Sequence, residues 1–187
     1  VNSLYVRADM TDPKAAAMAY LQRPQIIVHN PPSDRTLRGA AAELGIPAIT
    51  LEIGNPQRYN RDYIKRSLVG LRSVLAHHGM IARRSIVMGP PPVVCERSSW
   101  LYTDLGGLLQ VFPSVTDRVE AGEEVAKLTN PFGDRIATYH APEAGVVVGH
   151  SVNPVGQTGA RILQLGVPAT EGDPRFHPRE DGLETRP

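Results

Sequence analysis

Residues 36–54, TLRGAAAELGIPAITLEIG, decide how the first half of the chain is read. A short helix is expected to start near Thr36, and a run of small residues follows it. Leu37, Ala40, Ala41 and Leu44 recur at helical spacing, which predicts one apolar face, and Gly45 is a stop signal. Residues 46–51 then predict a strand, since Pro47 is tolerable only at a strand's beginning. Glu52 lies near the end of that apolar run. A carboxylate there is costly to bury unless it is paired, so Glu52 is a candidate for chemistry.

Working outward, Leu4, Tyr5 and Val6 are strand-like, and Arg7 and Asp9 follow them as a candidate surface ion pair. Asp12 and Pro13 have the chemistry of a helix cap and a first helical residue, and Pro24 stops that helix. Residues 25–29, QIIVH, predict a short buried strand bounded by prolines. Asn60 caps a helix expected over residues 61–78, with Ile64, Leu68, Leu71 and Leu75 as its apolar stripe and Gly79 as its end. Strand, helix, strand and helix in this order predict an α/β layer. The strands are too few for a self-sufficient sheet, so residues 1–89 read as the C-terminal part of a larger α/β domain. The first residue, Val1 rather than Met, reads either as an alternative start codon translated literally or, the preferred expectation, as a cut.

Gly89 and the prolines after it mark a boundary, beyond which short β-rich runs carry regularly spaced glycines. Segments 115–122 and 152–159 resemble each other, each a turn and a Gly followed by an alternating strand. Such a duplication predicts a small all-β barrel of two interlocked halves over residues 90–166. Residues 167–187 are Pro-rich, charged and without periodicity, and predict a disordered tail.

With 187 residues, 41% hydrophobic and 21% charged, the chain can bury a real core. Twenty basic against 19 acidic residues give a net charge of +1, which leaves no footprint for nucleic acid. The single cysteine, Cys95, excludes an internal disulfide framework and fits a reducing, cytoplasmic setting. No apolar run approaches the roughly 18 residues of a membrane helix. An exposed sheet edge would favour self-association, so a homo-oligomer is possible.

Several stretches together resemble the succinylglutamate desuccinylase/aspartoacylase family of zinc carboxypeptidase-like hydrolases. They are residues 5–10, YVRADM; 34–39, DRTLRG; 46–54, IPAITLEIG; Gly106 and Gly107; 130–133, NPFG; and 141–145, APEAG. The resemblance implies a partial mixed-sheet zinc-carboxypeptidase-like domain, followed by a barrel. It implies a zinc-bound water attacking the amide carbonyl of a small N-acyl amino acid, with a Glu moving the proton to the leaving amine. Glu52 matches that catalytic Glu, and Arg38 matches the arginine that holds a substrate carboxylate through paired hydrogen bonds. The family's zinc ligands, a His-x-x-Glu pair and a further His, lie before the segment matched by Val1.

Among the six histidines, His140 with Glu143 has the His-x-x-Glu spacing, and alternation on a strand-to-turn segment sends those side chains apart. His77 and His78 suit a helix C-terminus. His29 ends a strand expected to neighbour that of Glu52, where it could line the site; Tyr139 and His140 could reach it from the β part. The β part is also similar to biotinyl/lipoyl carrier domains, the barrel-sandwich hybrid. A carrier needs a Lys at the hairpin tip, where residues 129–134 read TNPFGD, and Lys127 lies before the turn. A second reading therefore stands beside the deacylase: an inactive, barrel-bearing interaction or scaffold fragment.

Overall fold

The computed structural model describes residues 1–33, 35–56, 58–82 and 90–176. Asp34 of the quoted motif, Gly89 of the expected boundary and residues 177–187 of the tail lie outside the described residues. The chain forms two units. One, here the α/β unit, comprises Leu4–Glu96 with Ala169–Pro187; the other, the β unit, comprises Val1–Ser3 with Arg97–Pro168. The division therefore falls within one strand, β4 (Val93–Tyr102).

In the α/β unit, β1 (Leu4–Ala8), α1 (Pro13–Leu21), β2 (Ile26–His29), α2 (Leu37–Glu43), β3 (Thr50–Ile53) and α3 (Arg61–His77) follow one another. The strand order is β3-β1-β2-β4. β1 is parallel to β2 and antiparallel to β3, and β2 is parallel to β4, so the sheet is mixed. Each helix starts where a side chain satisfies an orphan amide. Asp12 accepts from Lys14 N at 2.9 Å, Thr36 from Gly39 N at 3.0 Å and Asn60 from Tyr63 N at 3.1 Å. Val6, Ala8 and Ile27 pack with Met10, Ala16 and Ala19 in the core, so α1 closes one face of the sheet.

Three local expectations change. β3 begins at Thr50 and not at Ile46, because Pro47 has no N–H for a ladder; the strand instead carries Glu52 within it. The expected apolar face of α2 points outward: Leu37 is 89% and Leu44 76% exposed, while Arg38 and Gly39 are buried. The stripe of α3 is likewise exposed at Leu68, Leu71 and Leu75. Its buried residues are Ser67, Gly70 and Ser73, so α3 meets α1 through small side chains. The two serine hydroxyls are satisfied by the helix's own carbonyls, Tyr63 O at 2.7 Å and Val69 O at 3.0 Å.

In the β unit, the remaining strands are β5 (Gly107–Val111), β6 (Arg118–Val119), β7 (Glu124–Thr129), β8 (Arg135–His140), β9 (Gly145–His150), β10 (Val155–Gly156) and β11 (Arg161–Pro168). They form two sheets, ordered β4-β11-β9-β6 and β10-β5-β7-β8, with no closed barrel among the described residues. The duplicated segments each supply a two-residue strand, a turn and a longer strand: β6 then β7, and β10 then β11. Val119, Val125, Leu128, Ile162, Leu163 and Leu165 form its core, each at most 2% exposed.

Beyond the strands, part of the expected tail is folded against the α/β unit. Ala169 N donates to Val94 O at 2.8 Å, Tyr20 Oη donates to Phe176 O at 2.6 Å, and Phe176 is buried. Among the described residues no helix is long and apolar enough to cross a membrane.

Candidate active site

Glu52 sits on β3, directly opposite Tyr5 of β1, and Thr50 is opposite Arg7. Directly opposed residues share a face and neighbours along a strand alternate. Tyr5, Arg7, Thr50 and Glu52 therefore occupy one face of the sheet, together with Ile26 and Val28 of β2. Leu4, Val6, Ala8 and Leu51 occupy the other. Glu52 is half-buried, as are Thr50 and Arg7. Tyr5 is only 1% exposed, and its hydroxyl accepts from Arg7 Nε at 3.2 Å and Arg7 Nη2 at 2.8 Å. A buried phenol thus fixes the guanidinium from behind.

Arg38 is placed by the start of α2. A Cβ at Gly39 would fall 1.9 Å from Ser33 O, so only glycine lets the first turn lie this close to the preceding loop. That approach brings Arg38 to Asn30, whose carbonyl accepts from Nη1 at 2.7 Å and whose Oδ1 accepts from Nη2. Arg38 is 8% exposed. Burial lowers its proton affinity, the positive charge of Arg7 lowers it further, and Asp9 opposes both. Asp9, Asp12, Pro32, Arg38, Ile46 and Pro47 are among the residues lining a cavity of about 90 Å³. The two acids are engaged by other donors. Asp9 Oδ1 accepts from Thr11 N at 3.0 Å and Thr11 Oγ1 at 2.6 Å, and Asp12 caps α1.

His29 does not line Glu52's face. β1 lies between β2 and β3, so the two strands are not neighbours, and His29 is in register with Ala8 on the opposite face. Its Nδ1 accepts from Met10 N at 3.1 Å, and its ring meets Phe176 edge-on with centroids 5.2 Å apart. Burial lowers its pKa; Asp9, 3.9 Å away, raises it, and Arg175 lowers it. His77 and His78 close α3, their rings in edge contact at 5.2 Å.

The remaining candidates belong to the β unit. Glu143 pairs with Arg97, and His140 is exposed at the end of β8, so they do not converge on a common ligand position. Tyr139 donates to Asp104 Oδ1 at 2.7 Å, and burial, followed by that carboxylate, raises its pKa. Among the described residues no three His, Cys, Asp or Glu side chains come together as a metal site. The described residues do not by themselves fit a zinc ion. Tyr5 and Arg7 are the members of this site that local pattern missed; their signal, a polar pair two apart on a strand, needs the register with β3 to become meaningful.

No protein-family model matches the sequence, and no curated protein matches it. Solved structures do. The product-bound ectoine utilization protein EutE (DoeB) from Ruegeria pomeroyi matches with a TM-score of 0.80 at 18% identity, over 89% of this chain and 54% of that one. A succinylglutamate desuccinylase from Silicibacter sp. matches at 0.78 and 19% identity, over 90% and 54%. An aspartoacylase family protein from Mesorhizobium loti matches at 0.68 and 17% identity, over 91% and 54%. The chain thus spans about half the length of the solved structures it matches, and over that half it has the fold of succinylglutamate desuccinylase/aspartoacylase family proteins.

Proposed function

We propose that the chain supplies the proton-handling half of a deacylase that hydrolyses a small N-acyl amino acid or a related amide. The observation that carries this reading is the placement of Glu52, half-buried on the sheet face it shares with Tyr5 and Arg7, in a fold shared with deacylase-family structures. A carboxylate at that position can accept a proton from an attacking water and deliver it to the departing amine. Arg38 is the anchor for a substrate carboxylate, for which its planar fork is suited. Zinc is the metal such chemistry would use, and it would polarise the acyl carbonyl and its attacking water. Its ligands are not assembled by the described residues. The duplicated strand pairs support reading the β unit as a barrel-sandwich module like those of biotinyl and lipoyl domains.

The test is hydrolysis of a panel of N-acyl amino acids by the active enzyme containing this chain. Glu52→Gln is expected to lower turnover by about 10²- to 10⁴-fold while substrate binding is unchanged. Unaltered turnover would remove Glu52 from the mechanism. The exposed stripe of α3 favours a second reading, an interaction fragment without catalysis. Absence of turnover, together with absence of zinc by elemental analysis, would support it.

A further inference from the structure

Residues 169–176 form a strap on the α/β unit. Ala169 N donates to Val94 O at its start, and Phe176 anchors its other end. Phe176 joins the core of Met10, Ala16, Ala19 and Ile27, and its carbonyl accepts from Tyr20 Oη. Arg175 donates from Nε and Nη2 to the Asp173 carboxylate, and its guanidinium lies 4.9 Å from the centre of the Phe176 ring. A further wall of the Phe176 seat is His29, whose ring meets it edge-on. His29 Nδ1 has two candidate partners, and each suits one protonation state. Met10 N donates to it at 3.1 Å, which requires a bare lone pair and so a neutral ring. Asp9 Oδ1 lies 3.9 Å from the same atom, too far for a hydrogen bond. A proton on Nδ1 reverses both relations: Met10 N–H then faces a donor, and Asp9 becomes the acceptor. Reaching Asp9 requires the ring or the loop to move, and the ring is part of the seat.

We propose that His29 is a proton-operated latch: neutral, it keeps Phe176 seated; protonated, it exchanges Met10 N for Asp9 and releases the strap. The charges around the ring set the direction. Asp9 favours the proton; burial and Arg175 oppose it, and Asp173 and Glu96 in turn offset Arg175. Tyr20, on α1, is held neutral in this range, since burial raises its pKa. Seated strap and neutral His29 thus go together, and acid favours release. Asp9 also lines the cavity of Arg38, so the latch's second partner is a wall of the candidate site. The inference stands independently of the deacylase reading.

Amide hydrogen exchange of the full chain at about pH 7.5 and about pH 5, corrected for intrinsic rates, tests the latch. Protection at Ala169, Asp173 and Phe176 is expected to fall roughly five- to tenfold at the lower pH, relative to β1 and β2 of the same unit. His29→Asn keeps an acceptor for Met10 N but takes up no proton, and should lose this response. Linkage is reciprocal, so Phe176→Ala, which empties the seat, should raise the proton affinity of His29 by a similar factor, about five- to tenfold, followed by NMR of its ring. No fall in protection, or an equal fall in β1 and β2, would overturn the latch. A response that persists in His29→Asn would overturn the role of His29. An unmoved His29 titration in Phe176→Ala would overturn the coupling, and either variant decides the matter should the other fail to fold. None of these results depends on turnover, so each is separable from the Glu52→Gln result.

Discussion

The two units treat their apolar residues differently. In the β unit the large aliphatic side chains of β7 and β11 are buried where strand alternation sends them, with Leu128, Ile162 and Leu163 fully enclosed. In the α/β unit α1 is buried along its alanine face, but α2 and α3 turn leucines to the outside and bury Arg38, Ser67, Gly70 and Ser73. The difference teaches that periodicity identifies a helix but not the side it buries. In a strand, by contrast, the alternation that reveals the element also names its inner face.

The comparison can be broken most forcefully in the β core. Leu128→Ala removes a fully buried side chain and is expected to cost about 2–5 kcal/mol, measured by chemical denaturation with amide exchange in β5, β7 and β8. A cost below 1 kcal/mol would mean that the core is looser than its burial implies. A smaller, pH-dependent effect belongs to the α/β unit. Burial holds His29 below its ordinary pKa near 6.5, despite the opposing charge of Asp9 and with Arg175 assisting. The unfolded chain therefore takes up that proton first as pH falls, and the stabilisation from His29, present above about pH 6.5, is lost as pH drops through its folded pKa. His29→Gln should flatten this part of the stability–pH curve; an unchanged slope would show that another group dominates. The smallest effect is expected at the helix stripe. Leu71→Ser, at a side chain 48% exposed, should change stability by no more than about 0.5 kcal/mol. A larger loss would show that the stripe is covered in solution.

Much of the fold was legible because it is written in local chemistry. Asp12, Thr36 and Asn60 each bond an amide two or three residues on, so the starts of α1, α2 and α3 follow from short range alone. The duplicated segments 115–122 and 152–159 likewise foretold the matching strand pairs of the β unit. What local pattern could not supply was register and strand order. Glu52 stood out as a carboxylate in an apolar run, yet its neighbours Tyr5 and Arg7 are distant in sequence and meet it only through the antiparallel pairing of β1 with β3. His29 was misplaced for the same reason. Chain order suggested adjacency to β3, whereas β1 lies between. Arg38 was legible as a residue but not as a buried one, because its burial follows from the contact of Gly39 with Ser33 O.

The strand that carries Glu52 ends at Ile53, and at the next residue, Gly54, φ is +69° and a Cβ would fall 2.6 Å from the Tyr63 ring. A side chain there would be opposed twice, by the left-handed backbone and by an aromatic ring that must move. Position 54 is therefore a point of low tolerance. In a saturation library selected only for folding, glycine should dominate at 54 while 52 varies. Selection for turnover should then fix 52 as well, which separates what the architecture demands from what the chemistry demands.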